Sequence, residues 1–453
     1  MLTLTAGQQR MLEGAHGPGT AMAMRMVVGL AEVKGARRLV EITHAHIDSC
    51  LYHGESGIAY AQRLRDLGAA CVVPTTTNVG AVDLLHREFR PRSETVAAGG
   101  ARLMEVYAQL DVRRTWTCAP YHLPGRPGFG EHIAWAESNA IVFANSVLGA
   151  RTDRYGDFLD ICAAVTGLAP YAGLHLDENR VPTLRLDCSR LTESGAHVLP
   201  LLGHLAGTHA GTGVPLISGL ADSPEEEGLK ALGAAAASAG GVALFHVEGA
   251  TPEAEIAARG AAEARVPTIV VRDADLARTR GELSGLPGGS RIDAVSLGTP
   301  HASVAELRAL ARLLSEDGSG QPEAAARGDR VRGSRAQAEG GGDRAAEPEA
   351  EPGTATAPRT LRLQVPIWIN TGRDSLARLR GEHPAAHAVL EAAGVRIVTD
   401  TCNYLHPLMD PHVRAVMTNS VKWAHYAPGN IGVRVAFGSL AECVRAAAVG
   451  RVP

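Results

Sequence analysis

RLVEITHAHIDSCLYHGESG at positions 38–57, followed by CVVPTT at 71–76 and TNVGAVD at 77–83, sets the rhythm of the whole chain. A short β-branched run ends in a polar loop, a helix is predicted over 58–67, and a second apolar run ends in another polar loop. Runs of this length separated by helical segments predict strands joined by crossover helices. The unit recurs. RTWTC (114–118), IVFANS (141–146), VPLISG (214–219), VALFHV (242–247), TIVVRD (268–273) and DAVSLG (293–298) read as strands, as do VPIWIN (365–370), RIVTD (396–400), AVMTN (415–419) and VRVAF (433–437). Helices are predicted over 20–34, 223–239, 303–314 and 373–394, and from Ser439 onward, with a short helix near the start capped by Thr5. The expected class is α/β with mostly parallel sheets, and such sheets carry their functional loops at the C-terminal ends of the strands.

A chain of 453 residues suggests more than one lobe. Its net charge of −4, with no basic run interleaved with aromatics, argues against nucleic-acid binding. No stretch approaches the roughly 20 apolar residues of a membrane span, and MLTLTAGQQRMLEGAHGPG lacks the features of a signal peptide, so a cytoplasmic protein is expected. Seven cysteines occur without a CxxC, so a metal site has to be assembled from distant positions. Residues 316–358 contain one Val, no aromatic and repeated Gly, Pro, Glu and Arg, too little apolar surface to offset chain entropy. They read as a disordered insertion between a region at 1–315 and its continuation at 359–453.

Several strand ends gather reactive side chains. TCAPYHLPGRPGFGEHIAWAESNAIVFANSVLGARTDRYG (117–156) brings together Cys118, Glu137, Ser138 and Asn139. Such groups serve either as caps or as a site. Cys402 follows RIVTD as Cys118 follows RTWT, so the two thiols could share a metal or be inert packing. THAHID (43–48) offers His44 and His46, which fit either two ligands of a zinc-dependent hydrolase or loop hydrogen bonds. GHLAGTHAGTGVPLISG (203–219) lacks the Lys-Ser/Thr of a phosphate-binding loop and reads as a structural turn. Lys422, in MTNSVKWAHYAPG, is placed to hold an anionic group or to sit in solvent. In LGTPHAS (297–303), Ser303 reads as a helix N-cap.

The ordered strings AHID, PTTTNVGAVDL, TCAPY, ESNAIVFANSVLGARTDRYGD, GLHLDENR, LFHVEGATPEA, LGTPHAS, VTDTC and TNSVKWAHYAPG resemble the large subunit of the aconitase X family, from about residue 5 to 450. The resemblance implies a dehydratase with three α/β lobes around a central cleft, completed by a separate small swivelling subunit. It implies dehydration of a small hydroxy acid, either cis-3-hydroxy-L-proline or mevalonate 5-phosphate. A phosphate substrate calls for Arg or Lys near Ser56 and Asn78, and neither loop contains one, which favours the former. The family holds an iron–sulfur cluster on three strand-end cysteines. Cys118 and Cys402 match two of them, whereas the third motif, GCPH, here reads Gly298-Thr299-Pro300-His301. A threonine is a poor iron ligand. A [4Fe–4S] cluster then gives way to a smaller cluster, a mononuclear iron with an oxygen or nitrogen ligand, or a metal-free relative that has lost catalysis. The match also assigns Gly54, Glu55, Ser56, Asn78, Val79 and Asn139 to substrate binding and Glu137 and Ser138 to the surroundings of the cluster. It places Lys422 against an anionic substrate group, with Ser56 or Glu137 transferring the proton.

Overall fold

The structure, a computed structural model, describes residues 1–315 and 358–453, so all but the last residue of the expected insertion lies outside the described residues. Three lobes follow one another. The first holds β1 (Leu39–Glu41), β2 (Ala45–Ile47), β3 (Thr75–Thr77), β4 (Ala134–Trp135) and β5 (Leu168–Pro170). There β1 and β5 pair antiparallel, and β3-β2-β4 form a parallel sheet. The second holds β6 (Leu184–Asp187), β7 (Pro215–Ser218), β8 (His246–Val247) and β9 (Thr268–Val270) in the parallel order β8-β7-β6-β9. The third holds β10 (Ala294–Ala302), β11 (Ile367–Thr371), β12 (Arg396–Val398), β13 (Ala415–Thr418) and β14 (Arg434–Phe437), parallel in the order β12-β11-β10-β13-β14. The predicted α/β class with mostly parallel sheets is what forms. Among the described residues no helix is long and apolar enough to cross a membrane.

Several elements differ from the sequence reading for identifiable reasons. IVFANS is helical: Ser138–Phe143 is an α-helix continued by a π-helical turn over Ala144–Leu148. The Glu137 carboxylate caps this helix by accepting from the Asn139 and Ala140 backbone N–H groups. Because every residue of Ser138–Phe143 beyond the first is buried, no amphipathic period exists to betray it. RTWTC is not a strand, since Trp116 takes a left-handed φ of 43° and the segment instead hangs on Thr77 through the Thr115 and Thr117 backbone. Most of the Gly-rich 203–219 stretch is not a turn either, because 203–210 belong to the helix Val198–Ala210 and 215–218 to β7. Its glycines allow close packing on the helix Glu226–Ala239. A Cβ on Gly203 would lie 2.1 Å from the Leu232 carbonyl oxygen. The helix expected over 373–394 breaks at Pro384 into Arg373–Glu382 and Pro384–Ala392. Ser303 and Ser439 cap their helices with reciprocal bonds from Glu306 and Glu442.

The lobes are tied by buried polar clasps. Arg180, at the end of the first lobe, donates to Glu253 of the second at 2.9 Å and to the Asn145 carbonyl at 2.8 Å. Between the first and third lobes, Asp83 accepts from the Thr399 N–H at 2.7 Å and hydroxyl at 2.9 Å, and from the Leu85 and His86 N–H groups. Beside it, Gly80 N–H donates to the Asp400 carbonyl at 2.7 Å, while the Asp400 carboxylate holds Arg373 and the Leu84 N–H. Replacing Asp83 by Ala strands several buried donors, each costing about 1–3 kcal/mol. Asp83→Ala is therefore expected to lower stability by at least about 3 kcal/mol in urea titrations.

Candidate functional site

The loops that follow β2, β3, β4, β12 and β13 meet the irregular end of β10 between the lobes. Cys118, His301 and Cys402 are all buried, and a ligand atom from each lies within 4.8 Å of the others. The His301 backbone N–H donates to Cys118 Sγ at 3.3 Å. Its ring is oriented at both ends: Nδ1 lies 3.0 Å from the Thr117 hydroxyl and Nε2 lies 3.1 Å from the Thr401 carbonyl. Burial lowers the His301 pKa to about 4, so the ring is neutral, the form that ligates metals. The neighbouring Cys118 sulfur, with burial, pushes the Cys402 thiol well above its ordinary range. A bound cation would reverse that by stabilising the thiolate.

The Thr299 hydroxyl lies 3.4 Å from Asn370 Nδ2, which also reaches Asn403 Oδ1 at 3.3 Å. Gly298 just before it has φ of 74°, and a Cβ there would meet the Asn370 carbonyl at 2.2 Å. The loop thus delivers His301, two residues on, to the sulfurs. His301 carried no role in the sequence reading, although it stands inside the motif whose cysteine is replaced. Among the described residues no third cysteine joins the group, so the donors do not fit a cluster needing three thiolates. They do fit a metal taking two sulfurs and a nitrogen. Thr401 Oγ1 and Asn403 Nδ2, on either side of Cys402, are buried without partners, as expected of groups that hydrogen-bond to something held by the sulfurs.

The expected polar wall lies alongside. Glu137 accepts from Lys422 Nζ, and Ser138 Oγ lies 3.4 Å from the same ammonium. Burial opposes the Lys422 charge, but Glu137, Tyr404 and Cys118 outweigh it and hold the pKa well above the ordinary lysine value. Asn139 donates to the Cys118 carbonyl at 2.8 Å, anchoring the cysteine loop. Asn78 Nδ2 donates to Asp48 Oδ1, whereas its own Oδ1 is buried without a partner. Burial, with Glu137 nearby, pushes Asp48 up to about 7. Val79 is buried next to Asn78. Gly54 caps the helix Glu55–Asp66, leaving Ser56 exposed in its first turn and Glu55 bonded by the Tyr52 hydroxyl at 3.2 Å.

His44 and His46 are engaged elsewhere. The Trp135 indole donates to His44 Nδ1 at 2.9 Å, and His46 Nδ1 lies 2.8 Å from the Thr76 hydroxyl. Among the described residues no further ligand joins them, so the zinc-hydrolase alternative has no metal cradle there. Left-handed backbone also concentrates at the site: Trp116, Glu137 and Asp400 are three of six such non-glycine residues among the described residues. Each costs about 1–3 kcal/mol and persists only where its surroundings enforce it.

Residues 1–178, 182–281 and 354–449 match the models described as the aconitase X first, second and third domains. The cis-3-hydroxy-L-proline dehydratase of Pseudomonas aeruginosa is 40% identical, with the match covering 99% of this chain and 70% of that protein. The chain belongs to the aconitase X family. Another relative, the cis-3-hydroxy-L-proline dehydratase of Hypocrea jecorina, is 38% identical over 97% of this chain and 67% of its own length. The phosphomevalonate dehydratase large subunit of Methanothermobacter thermautotrophicus is 33% identical over 97% of each chain. The crystal structure of Thermococcus kodakaraensis aconitase X in its holo-form superposes with a TM-score of 0.80 at 30% identity, covering 98% of this chain and 100% of that one.

Two outcomes follow for this aconitase X chain. Lys422→Met leaves Glu137 buried and unpaired and is expected to cost about 3–5 kcal/mol in urea, part of it recovered in Lys422→Met/Glu137→Gln, which removes the charge and keeps an oxygen for the helix cap. Burial holds His46 down to about 3, below its value of about 6.5 when unfolded. Unfolding then takes up a proton, so this contribution is complete above pH 6.5 and is lost as pH falls toward 3. In His46→Gln the fall in stability between pH 7 and 4 is expected to be about 2–3 kcal/mol smaller than in the natural protein.

Proposed function

We propose that this chain is the large catalytic part of a hydro-lyase that removes water from cis-3-hydroxy-L-proline. The supporting observation is the Cys118–His301–Cys402 group set beside the Lys422–Glu137 pair. The charged groups that bear on nearby Asp48 are the carboxylates Glu137, Asp157 and Asp160. Such surroundings disfavour a phosphate and favour the ammonium of a cyclic amino acid. Two relatives named for this activity support the same choice.

In this reading Cys118, Cys402 and His301 hold iron, as a single ion or in a cluster smaller than one requiring three thiolates. Such a centre supplies Lewis acidity that makes hydroxide a better leaving group. The remaining work falls to the protein. Lys422 neutralises the substrate carboxylate, and the Ser138 hydroxyl accepts from Lys422 and steadies it. The unpartnered Asn78 Oδ1 accepts a ring N–H, and Val79 packs against the ring carbons. Gly54, Glu55 and Ser56 line the mouth, where a small swivelling subunit would close the cleft and exclude water. That partner is inferred because the phosphomevalonate relatives are named large subunits.

The test is anaerobic purification with the co-expressed small subunit, iron and sulfide assay, and NMR detection of dehydration. Iron together with turnover of cis-3-hydroxy-L-proline is expected, and Cys118→Ala or Cys402→Ala should lower bound iron by at least about tenfold. Turnover of mevalonate 5-phosphate alone would overturn the substrate choice. Stoichiometric zinc, or no turnover of either compound by iron-loaded protein, would overturn the dehydratase reading. Activity that arises only in Thr299→Cys would mark the natural chain as a non-catalytic relative.

A further inference from the structure

Elimination of water needs a group that takes a proton from the carbon next to the one losing hydroxide, and most polar groups in the cleft are committed to other bonds. Glu137 has both oxygens engaged: Oε1 holds Lys422 and the Ser138 hydroxyl, while Oε2 caps the Asn139 and Ala140 N–H groups. Lys422 is kept charged by Glu137, and Tyr404 by burial keeps its phenolic proton. Ser56 is exposed and Ser138 sits between a carboxylate and an ammonium, so neither hydroxyl has a free base beside it.

Asp48 differs from all of these. It stands at the C-terminal end of β2, half-buried, in the loop facing Glu137. Oδ1 accepts from Asn78, and its backbone N–H donates to Asp160 Oδ2 at 2.6 Å, which fixes the loop. Oδ2 makes no hydrogen bond among the described residues. No cation pairs with this carboxyl: the charged groups facing it are Glu137 ahead of the capped helix and Asp157 and Asp160 at the start of the helix Leu159–Thr166. We propose that Asp48 is the proton-accepting catalytic residue of this site, acting through Oδ2.

The step balances without a further reactant. The substrate C–H bond breaks, its proton passes to Asp48 Oδ2, and its electron pair forms the C=C bond as hydroxide leaves the adjacent carbon. Returning the proton to that hydroxide completes the loss of one water. A carboxyl held at about 7 by burial and by Glu137 is matched to this task near neutral pH, because it is a stronger base than an ordinary aspartate and still ionises. The sign is defined: the ionised form is the active one, so the rate is lost as pH falls below about 7.

The assignment rests on the proposed dehydration, and the experiment separates the two. The iron-loaded natural protein, Asp48→Asn and Asp48→Glu are compared, each with the small subunit, for kcat and KM against pH and for exchange of the substrate C–H proton with D2O. Asp48→Asn is expected to lose about 100- to 10,000-fold in kcat with KM little changed, to stop C–H exchange and to lose the acidic limb near pH 7. Asp48→Glu keeps the carboxyl and should retain part of both. Activity of Asp48→Asn within tenfold of the natural protein with the limb intact, or a loss confined to KM, would overturn the role of Asp48 while leaving the dehydratase standing. Inactive natural protein would overturn the dehydratase and this role with it. Urea unfolding supplies a readout free of activity. The raised carboxyl favours the folded state below its unfolded value of about 3.9 and loses that contribution as pH rises from there through about 7. Asp48→Asn should therefore gain more stability relative to the natural protein at pH 8 than at pH 5, and equal effects at both would overturn the assignment. This comparison also holds if Asp48→Asn folds poorly, since Asp48→Glu must then show the same pH-dependent contribution as the natural protein.

Discussion

The buried ion pair between Lys422 and Glu137 is the constraint around which the cleft is organised. Two charges removed from water lose several kcal/mol of hydration each, and their attraction offsets this only when both are held in register. One partner stands before the helix that starts at Ser138 in the first lobe, and the other rides the helix Val421–Ile431 in the third. A small rotation of one lobe against the other would leave both charges stranded. The clasps at Asp83–Thr399 and Leu84–Asp400 oppose such a rotation. The pair also links lobe packing to the sulfur–imidazole group, because the loops that carry Glu137 and Cys118 share Asn139 as an anchor.

A second buried lysine does a related job from the middle lobe. Lys230, on the helix Glu226–Ala239, pairs with Glu227 at 3.0 Å and with Glu306, and its ammonium lies 3.5 Å from the His301 carbonyl. Glu306 in turn accepts from the Ser303 N–H at 2.8 Å. The segment that presents His301 is therefore gripped from behind by a different lobe than the one it belongs to. All three lobes contribute to the placement of one imidazole, which holds the irregular stretch of β10 between Leu297 and Ala302, with its left-handed Gly298, in place.

How much of this was legible in the sequence depended on whether a residue acts through local pattern or through distant contacts. The third-lobe strands were readable because β-branched runs such as RIVTD and VRVAF are bounded by glycine and polar turns. The helix from Ser138 was not, because burial on all sides erases the period that distinguishes helix from strand, and only the cap geometry of Glu137 decides the matter. The 203–210 segment misled in the opposite direction: glycines that suggest a turn serve as the contact surface between two helices. Cys402 and Lys422 could be singled out by position at strand ends, and Cys118 by the motif it shares with the family, although the strand expected before it does not form. His301 and Asp48 could not, since the importance of each depends on what lies opposite it after folding: two sulfurs for the former and a row of carboxylates for the latter.

The isolated antiparallel bridge between Ser315 and Thr360 has a bearing of its own. It brings the chain back to the point from which it left, at the end of the helix Val304–Leu314. The Leu361 N–H, donating to the Leu314 carbonyl at 2.8 Å, secures the same junction. The helix and the strand β11 that follows in the fold are thereby stitched into one lobe at a single point of contact.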